Sequence, residues 1–524
     1  MGSAASPPPS PACSPDAVVA NPREPKPGGP GGRRPRGSQT TADLPSDLRL
    51  TLGPSVRRAD GGRVLIGGSP LRVLKLTDAG RALVDAWSGG APLGPRPGAQ
   101  RLARRLLSTG IAQPCPVTSP FCPSEVSVVV PVRDRPAGLE RTLAALDDVA
   151  RTVVVDDGSS PPVGTASVRH PRARGPAAAR NAGWRRTSTP LVAFVDADCV
   201  PEPGWLDPLL PHFADPRVAA VAPRVVCPTA PGVLARYESV RSPLDLGPTA
   251  GIVRPGARVA YVPSAALVVR REALEACGGF DEALRVGEDV DLVWRLAGSG
   301  WAVRYEPRGT VAHPPRGSLP ALARQRARYG TSAAPLASRH EGALAPLAVS
   351  VWSAAAWTLA GLGRPDAGLA VAGATAALLP RRLRGLLSSP REPLRIAALG
   401  HLFAGRQVAD AVVRAWWPLA ATSMAWPRAR PAVAACATVP YLAEWVRRRP
   451  PVDPVRWTAL RLLDDLAYGA GLWAGCVRER TRAPLVPDLK SWPGRGGAVD
   501  MDPLSPGRAG RRPPARSARP CRRG

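Results

Sequence analysis

Lysine is nearly absent from this chain of 524 residues: of 70 basic residues only Lys26, Lys75 and Lys490 are lysine, and the rest are arginine. Methionine (three), phenylalanine (five) and tyrosine (six) are also scarce, whereas proline (64) and glycine (52) abound. An Arg, Ala, Pro and Gly bias of this kind follows from a GC-rich coding sequence. The formal charge of +29 is therefore discounted as a nucleic-acid signal, and no nucleic-acid partner is expected. No Cys-x-x-Cys pair occurs, and the nine cysteines are odd in number and scattered, which excludes a disulfide framework and a structural zinc site. Residues 1–37 lack the uninterrupted apolar core of a secretory signal, so a reducing cytoplasm is the expected compartment of the folded part.

What is present suffices for two or three domains, since 44% of residues are hydrophobic. Residues 1–47 and 491–524 read as a disordered leader and a disordered basic tail, because Pro, Gly and Arg at this density bury too little apolar surface to offset chain entropy. Between them, residues 48–112 form a small module. Arg49–Leu52 and Arg63–Ile66 flank the hairpin signal Asp60-Gly61, Leu71–Leu76 gives another strand, and Thr77-Asp78 caps a helix through Trp87. It has the size of a winged helix and no cluster of catalytic groups, so binding or packing is its expected role.

Residues 125–340 alternate apolar strands with helices, as an α/β sheet does. Val126–Val130 and Val153–Val155 are apolar runs typical of strands buried on both faces, and Leu191–Val195 is a third. The second ends in Asp156-Asp157-Gly158-Ser159 and the third in Asp196-Ala197-Asp198. Ligands of open α/β sheets bind outside the carboxyl ends of the strands, so the site is expected where these loops meet. Neither a Gly-x-Gly-x-x-Gly dinucleotide fingerprint nor a P-loop is present.

Asp196 and Asp198 stand one residue apart, so one can hold a divalent cation while the other reaches a different part of the same ligand. A strand-end Asp-x-Asp also occurs as a solvated turn, but a second acidic loop beside it calls for a neutralising cation. Val290, Val293 and Leu296 have helical spacing, which puts Glu288 and Asp289 in a first helical turn. There they serve either as caps favoured by the helix dipole or as a general base at the mouth of the pocket.

Ser127–Asp134, Val155–Ser159, Ala179–Gly183, Phe194–Asp198 and Gly278–Glu282 with Gly287–Leu292 occur in this order over about 190 residues. Together they resemble the family 2 glycosyltransferases, which implies the GT-A nucleotide-sugar-binding fold and an inverting reaction. The resemblance places Pro131, Arg133 and Asp156 or Asp157 near a uracil, Asp196 near the ribose and Arg180 on the nucleotide. It makes Asp198 a ligand of Mg2+ or Mn2+, with His313 as a further one, and Asp289 the base that activates the acceptor hydroxyl, with Glu288 as the alternative. Arg324–Gly330 departs from the Gln-x-x-Arg-Trp motif of processive polysaccharide synthases, because Tyr329 stands where they have Trp.

Beyond residue 340 the chain turns apolar. Gly342–Gly363 is 22 residues without a charge, long enough to cross a bilayer, and nine of the 14 tryptophans follow residue 350. Residues 341–490 are therefore expected to be helical and membrane-associated, whether spanning or interfacial, with the catalytic domain on the cytoplasmic face. The N-terminal module with Tyr329–His340 and the apolar helices after it is similar to the glycosyltransferases of mycofactocin systems. That resemblance implies transfer of glucose from UDP-glucose to a peptide-derived redox cofactor or its precursor, with a short glucan as product, and a peptide-binding role for the module. Two other readings stand beside it: a membrane glycosyltransferase acting on polyprenyl phosphate or an envelope polysaccharide, and a non-catalytic nucleotide-sugar-binding scaffold.

Overall fold

A computed structural model describes residues 43–146 and 149–490 and a two-residue strand at 500–501. The expected leader up to residue 42 and the basic tail from 502 lie outside the described residues, as do 491–499.

The N-terminal module comprises strands β1 (Arg49–Leu52), β2 (Arg57–Ala59), β3 (Val64–Gly67) and β4 (Arg72–Lys75), helices α1 (Asp78–Ser88) and α2 (Pro97–Thr109), and strand β5 (Ala112–Cys115). The Thr77 hydroxyl caps α1 by accepting from the Gly80 amide, as the sequence predicts. One pairing differs from expectation: the Asp60-Gly61 turn joins β3 to β2, while β1 pairs with β5 and closes the module on itself. The module has its own core, built around Leu65, Leu74, Leu102, Leu106 and Ile111.

The next segment runs β6 (Val126–Val132), α3 (Pro136–Leu143), β7 (Arg151–Asp156), β8 (Val168–Arg169), α4 (Pro176–Trp184), β9 (Leu191–Val195), β10 (Val200–Pro201) and β11 (Val218–Val226). It continues through α5 (Val233–Arg241), β12 (Gly251–Ile252), β13 (Ala266–Arg270), α6 (Arg271–Cys277), α7 (Glu288–Gly298) and β14 (Ala302–Ala312). These strands make one mixed sheet of nine, in the order β10-β14-β11-β13-β9-β6-β7-β8 with β12 against β14. Alternation along β6 explains why the whole run is apolar. Val129 joins Phe194 and helices α4, α6 and α7 on one face, while Val128 and Val130 join Leu139 of α3 on the other.

The C-terminal helices are α8 (Leu319–Thr331), α9 (Ala333–Arg339), α10 (Val351–Gly361), α11 (Pro365–Leu383), α12 (Arg391–Arg414), α13 (Trp417–Ser423), α14 (Arg430–Arg448) and α15 (Pro454–Arg478). Strands β15 (Ala348–Ser350) and β16 (Asp488–Lys490) pair beside them. A membrane-spanning helix is not found: among the described residues, none is long and apolar enough to cross a bilayer. The uncharged stretch 342–363 is divided because β15 takes part of it, and the Ser350 hydroxyl caps the start of a helix of only 11 residues. Such a helix is about 16 Å long, roughly half a bilayer core.

Two features lock these helices to one another and, through Glu238 of α5, to the sheet domain. α8 and α15 touch backbone to backbone: a Cβ on Gly471 would fall 1.8 Å from the Ala327 carbonyl oxygen, and one on Gly330 would fall 2.0 Å from that of Tyr468. A buried ionic network completes the joint. Arg326 of α8 meets Asp464 and Glu238, and Arg461 meets Glu444 and Asp465.

Candidate active site

The site is held by a chain of charge centred on the buried Arg180. Arg180, on α4, donates from Nη2 to Asp196 Oδ1 (2.6 Å) and from Nη1 to Glu288 Oε1 (2.7 Å), tying the end of β9 to the start of α7. Burial works against the guanidinium, but Asp196, Glu288 and Asp289 more than offset it and keep Arg180 charged. Burial, and then the neighbouring Asp289, raise Glu288 well above the usual carboxylate range. Burial also raises Asp196, against the pull of Arg180.

α7 is preceded by Gly287, whose φ of 83° suits glycine. This start leaves Asp289 facing β13's entry, where its Oδ2 accepts from the Ser264 amide at 3.1 Å. Burial, and then the nearby Asp289, push the Tyr261 hydroxyl up to about 12. Asp291 turns away: it accepts from Arg295 Nε (2.7 Å) and meets His340 Nε2 (2.9 Å), which anchors the helix.

Asp198 lies on the same loop as Asp196. Its Oδ2 stands 3.8 Å from His313 Nε2, at the end of β14, so the two expected metal ligands are brought together. Burial lowers the His313 pKa and favours the neutral ring that a metal requires. Among the described residues no group of three or more His, Cys, Asp and Glu forms a metal cage. One carboxylate and one imidazole fit an ion that takes its remaining ligands from substrate phosphates and water, as Mg2+ commonly does.

The carboxylates of the acidic loop after β7, expected near the base, are held by backbone amides. Asp156 is buried and accepts from the Ser159 and Val163 amides, and Asp157 accepts from the Arg174 and Gly175 amides. Both carboxylates are thus engaged in shaping the loops around the cleft. Pro131 lies near the carboxyl end of β6, and Arg133 beyond it is exposed, 3.4 Å from Asp134.

Several further residues shape the site, of which Arg135 and Arg316 were not singled out in the sequence. Asn181 clamps the Gly278-Gly279 loop, donating to the Phe280 carbonyl (2.8 Å) and accepting from its amide (3.0 Å). Arg135 pairs with Asp198, and Arg316 Nη2 lies 3.3 Å from His313 Nε2. Gln325 donates to the Tyr329 hydroxyl at 3.0 Å.

A mixed sheet with an Asp-x-Asp at the end of a central strand and an acidic helix start beside it defines a nucleotide-sugar transferase of GT-A type. The family model for glycosyl transferase family 2 matches residues 127–278. The chain is 41% identical over 475 residues to the pre-mycofactocin glycosyltransferase of Mycobacterium tuberculosis, covering 86% of this chain and all of that protein. It is 32% identical over 205 residues to the succinoglycan biosynthesis protein ExoU of Rhizobium meliloti, covering 35% of this chain and 59% of that one. Among solved structures, a mannosyltransferase from Pyrobaculum calidifontis in complex with GDP-Man and Mn2+ is similar, at 23% identity and a TM-score of 0.32, covering 55% of this chain and 90% of that one. The chain belongs to the pre-mycofactocin glycosyltransferases, within glycosyl transferase family 2.

Proposed function

We propose that the protein is an inverting, metal-dependent hexosyltransferase that moves glucose from UDP-glucose to a peptide-derived redox cofactor or its precursor, adding a short glucan. The observation that carries this reading is the Asp196–Arg180–Glu288 chain, in which the buried Arg180 and Glu288 hold the strand-end Asp196 against the helix that bears Asp289.

In this reading Asp196 and Arg180 orient the nucleotide, with Pro131 and Arg133 at the rim towards the base. Asp198 and His313 hold Mg2+ or Mn2+, which when bound neutralises charge on the leaving diphosphate. Asp289 takes the proton from the acceptor hydroxyl as that oxygen attacks the anomeric carbon in line, and the configuration inverts. Its amide contact with Ser264 holds the carboxylate in place. Glu288 keeps Arg180 in position and is the alternative base.

The C-terminal helices lie at an anionic membrane surface on its cytoplasmic side, and the N-terminal module contacts a peptide partner. Trp352, Leu369 and Leu419 are exposed on these helices, and Leu362 and Trp426 just beyond α10 and α13, which supports an interfacial rather than a spanning contact.

The test is incubation of purified protein with UDP-glucose, Mn2+ and either the peptide-derived precursor or a polyprenyl phosphate, with mass spectrometry for hexose additions. Additions to the peptide-derived species alone support the reading. Sugar recovered only on the lipid transfers it to the envelope-glycan class, and no turnover of UDP-glucose with either acceptor would overturn it.

A further inference from the structure

Both atoms that would hold the metal are already covered by arginines of this chain. Arg135 Nη1 contacts Asp198 Oδ2, the oxygen nearest His313. Arg316 Nη2 stands 3.3 Å from His313 Nε2, the nitrogen that faces Asp198. The two guanidiniums are held unequally. The side chain of Arg135 is 51% exposed, whereas that of Asp198 is 14% exposed, so the arginine is the partner free to leave. Arg316 is tethered through its backbone amide to Glu238.

A guanidinium and a divalent cation brought to the same carboxylate oxygen repel each other, so the arginine contact opposes metal binding there. With two protein ligands and no third nearby among the described residues, an incoming ion has little to replace the arginines with until a diphosphate arrives. A diphosphate changes both sides of this balance. It offers oxygens to the metal, and it offers bidentate acceptors to the guanidiniums that the metal displaces.

We propose that Arg135, with Arg316 beside it, occupies the metal position in the sugar-donor-free protein, so that metal and nucleotide diphosphate are admitted together. Arg135 is then a positioning residue that couples two ligands. By linkage, the factor by which nucleotide tightens metal equals the factor by which metal tightens nucleotide. The inference rests on the metal assignment to Asp198 and His313.

The experiment is Mn2+ titration of the full chain, read by the electron paramagnetic resonance signal of free Mn2+, with and without UDP. Wild type is expected to bind Mn2+ weakly alone and at least about tenfold more tightly with UDP, within the usual range of coupling. Arg135→Gln is expected to bind Mn2+ alone about fivefold more tightly than wild type, the strength of a partly exposed ion pair, and to show a correspondingly smaller effect of UDP. Equal Mn2+ affinity of Arg135→Gln and wild type without UDP overturns the proposal while leaving the metal site intact. Asp198→Asn separates the two ideas: if it binds Mn2+ with UDP as well as wild type does, the metal assignment falls, and the proposal with it.

Discussion

Arg326 donates from Nε to Asp464 at 2.6 Å, joining the helix that follows the catalytic sheet to α15 across a buried joint. Tyr237 donates to the other oxygen of the same carboxylate at 2.8 Å, so three elements converge on Asp464.

Removing one member of a buried ion pair leaves the other uncompensated. Arg326→Leu is therefore expected to destabilise the protein by about 3–5 kcal/mol, whereas Tyr237→Phe, which removes one hydrogen bond to the Asp464 carboxylate and no charge, costs about 1.5–3 kcal/mol. Urea unfolding followed by tryptophan fluorescence checks both, and a similar small loss in the two variants would contradict the role given to Asp464.

Glu288 and Asp289 separate in their pH behaviour. If Asp289 is the base, Asp289→Asn lowers kcat by about 100- to 10,000-fold at every pH without weakening UDP binding. Glu288 is raised by burial, so its protonation loosens Arg180 at a pH above the ordinary carboxylate range. Glu288→Gln is then expected to keep part of its turnover and to lose that acid limb from the kcat/KM profile. Complete inactivation of Glu288→Gln with survival of Asp289→Asn would reverse the assignment.

The His212–Glu306 pair sets an acid limit on stability. Burial opposes ionisation of Glu306, but hydrogen bonds from His212 and Arg308 outweigh it and bring its pKa from 4.5 to about 2. A carboxyl lower in the folded than in the unfolded state stabilises above its unfolded pKa and loses that contribution as pH falls towards the folded value. The difference corresponds to about 3 kcal/mol. His212, pushed down by burial, adds a loss that starts higher, as pH drops below the ordinary histidine value. Scanning the unfolding midpoint from pH 7 to pH 3 should therefore show a two-stage decline, and Glu306→Gln should lack the lower stage. Parallel curves for variant and wild type would rule this out.

Vesicle binding tests the C-terminal surface. Flotation with vesicles containing phosphatidylglycerol should carry the protein upward at low salt, and Trp426→Ser with Leu369→Ser should weaken that binding. Equal recovery with neutral vesicles, or no effect of the double substitution, would remove the anionic-surface reading.

The central strands were legible because β6, β7 and β9 are buried on both faces, which leaves apolar runs bounded by acidic loops. Asp196, Asp198, Glu288 and His313 were legible because motif spacing places them at strand ends and a helix start. Arg135 and Arg316 were not: in a chain whose basic residues are almost all arginine, no single arginine stands out. The pairing of β1 with β5 and the division of 342–363 depend on partners 66 and 140 residues away, at Cys115 and Asp488. Such distant pairings leave no periodic trace.

The face of β3 that carries Val64 and Ile66 packs on Leu387, with Leu383, Leu386 and Ile396 around it, and Arg57 reaches Glu392 at 2.6 Å. A segment made early on the ribosome therefore receives its cover only after some 300 further residues have been joined. Until then the apolar strand face is open to other chains, and the yield of folded protein depends on how long that face waits as much as on the stability finally reached.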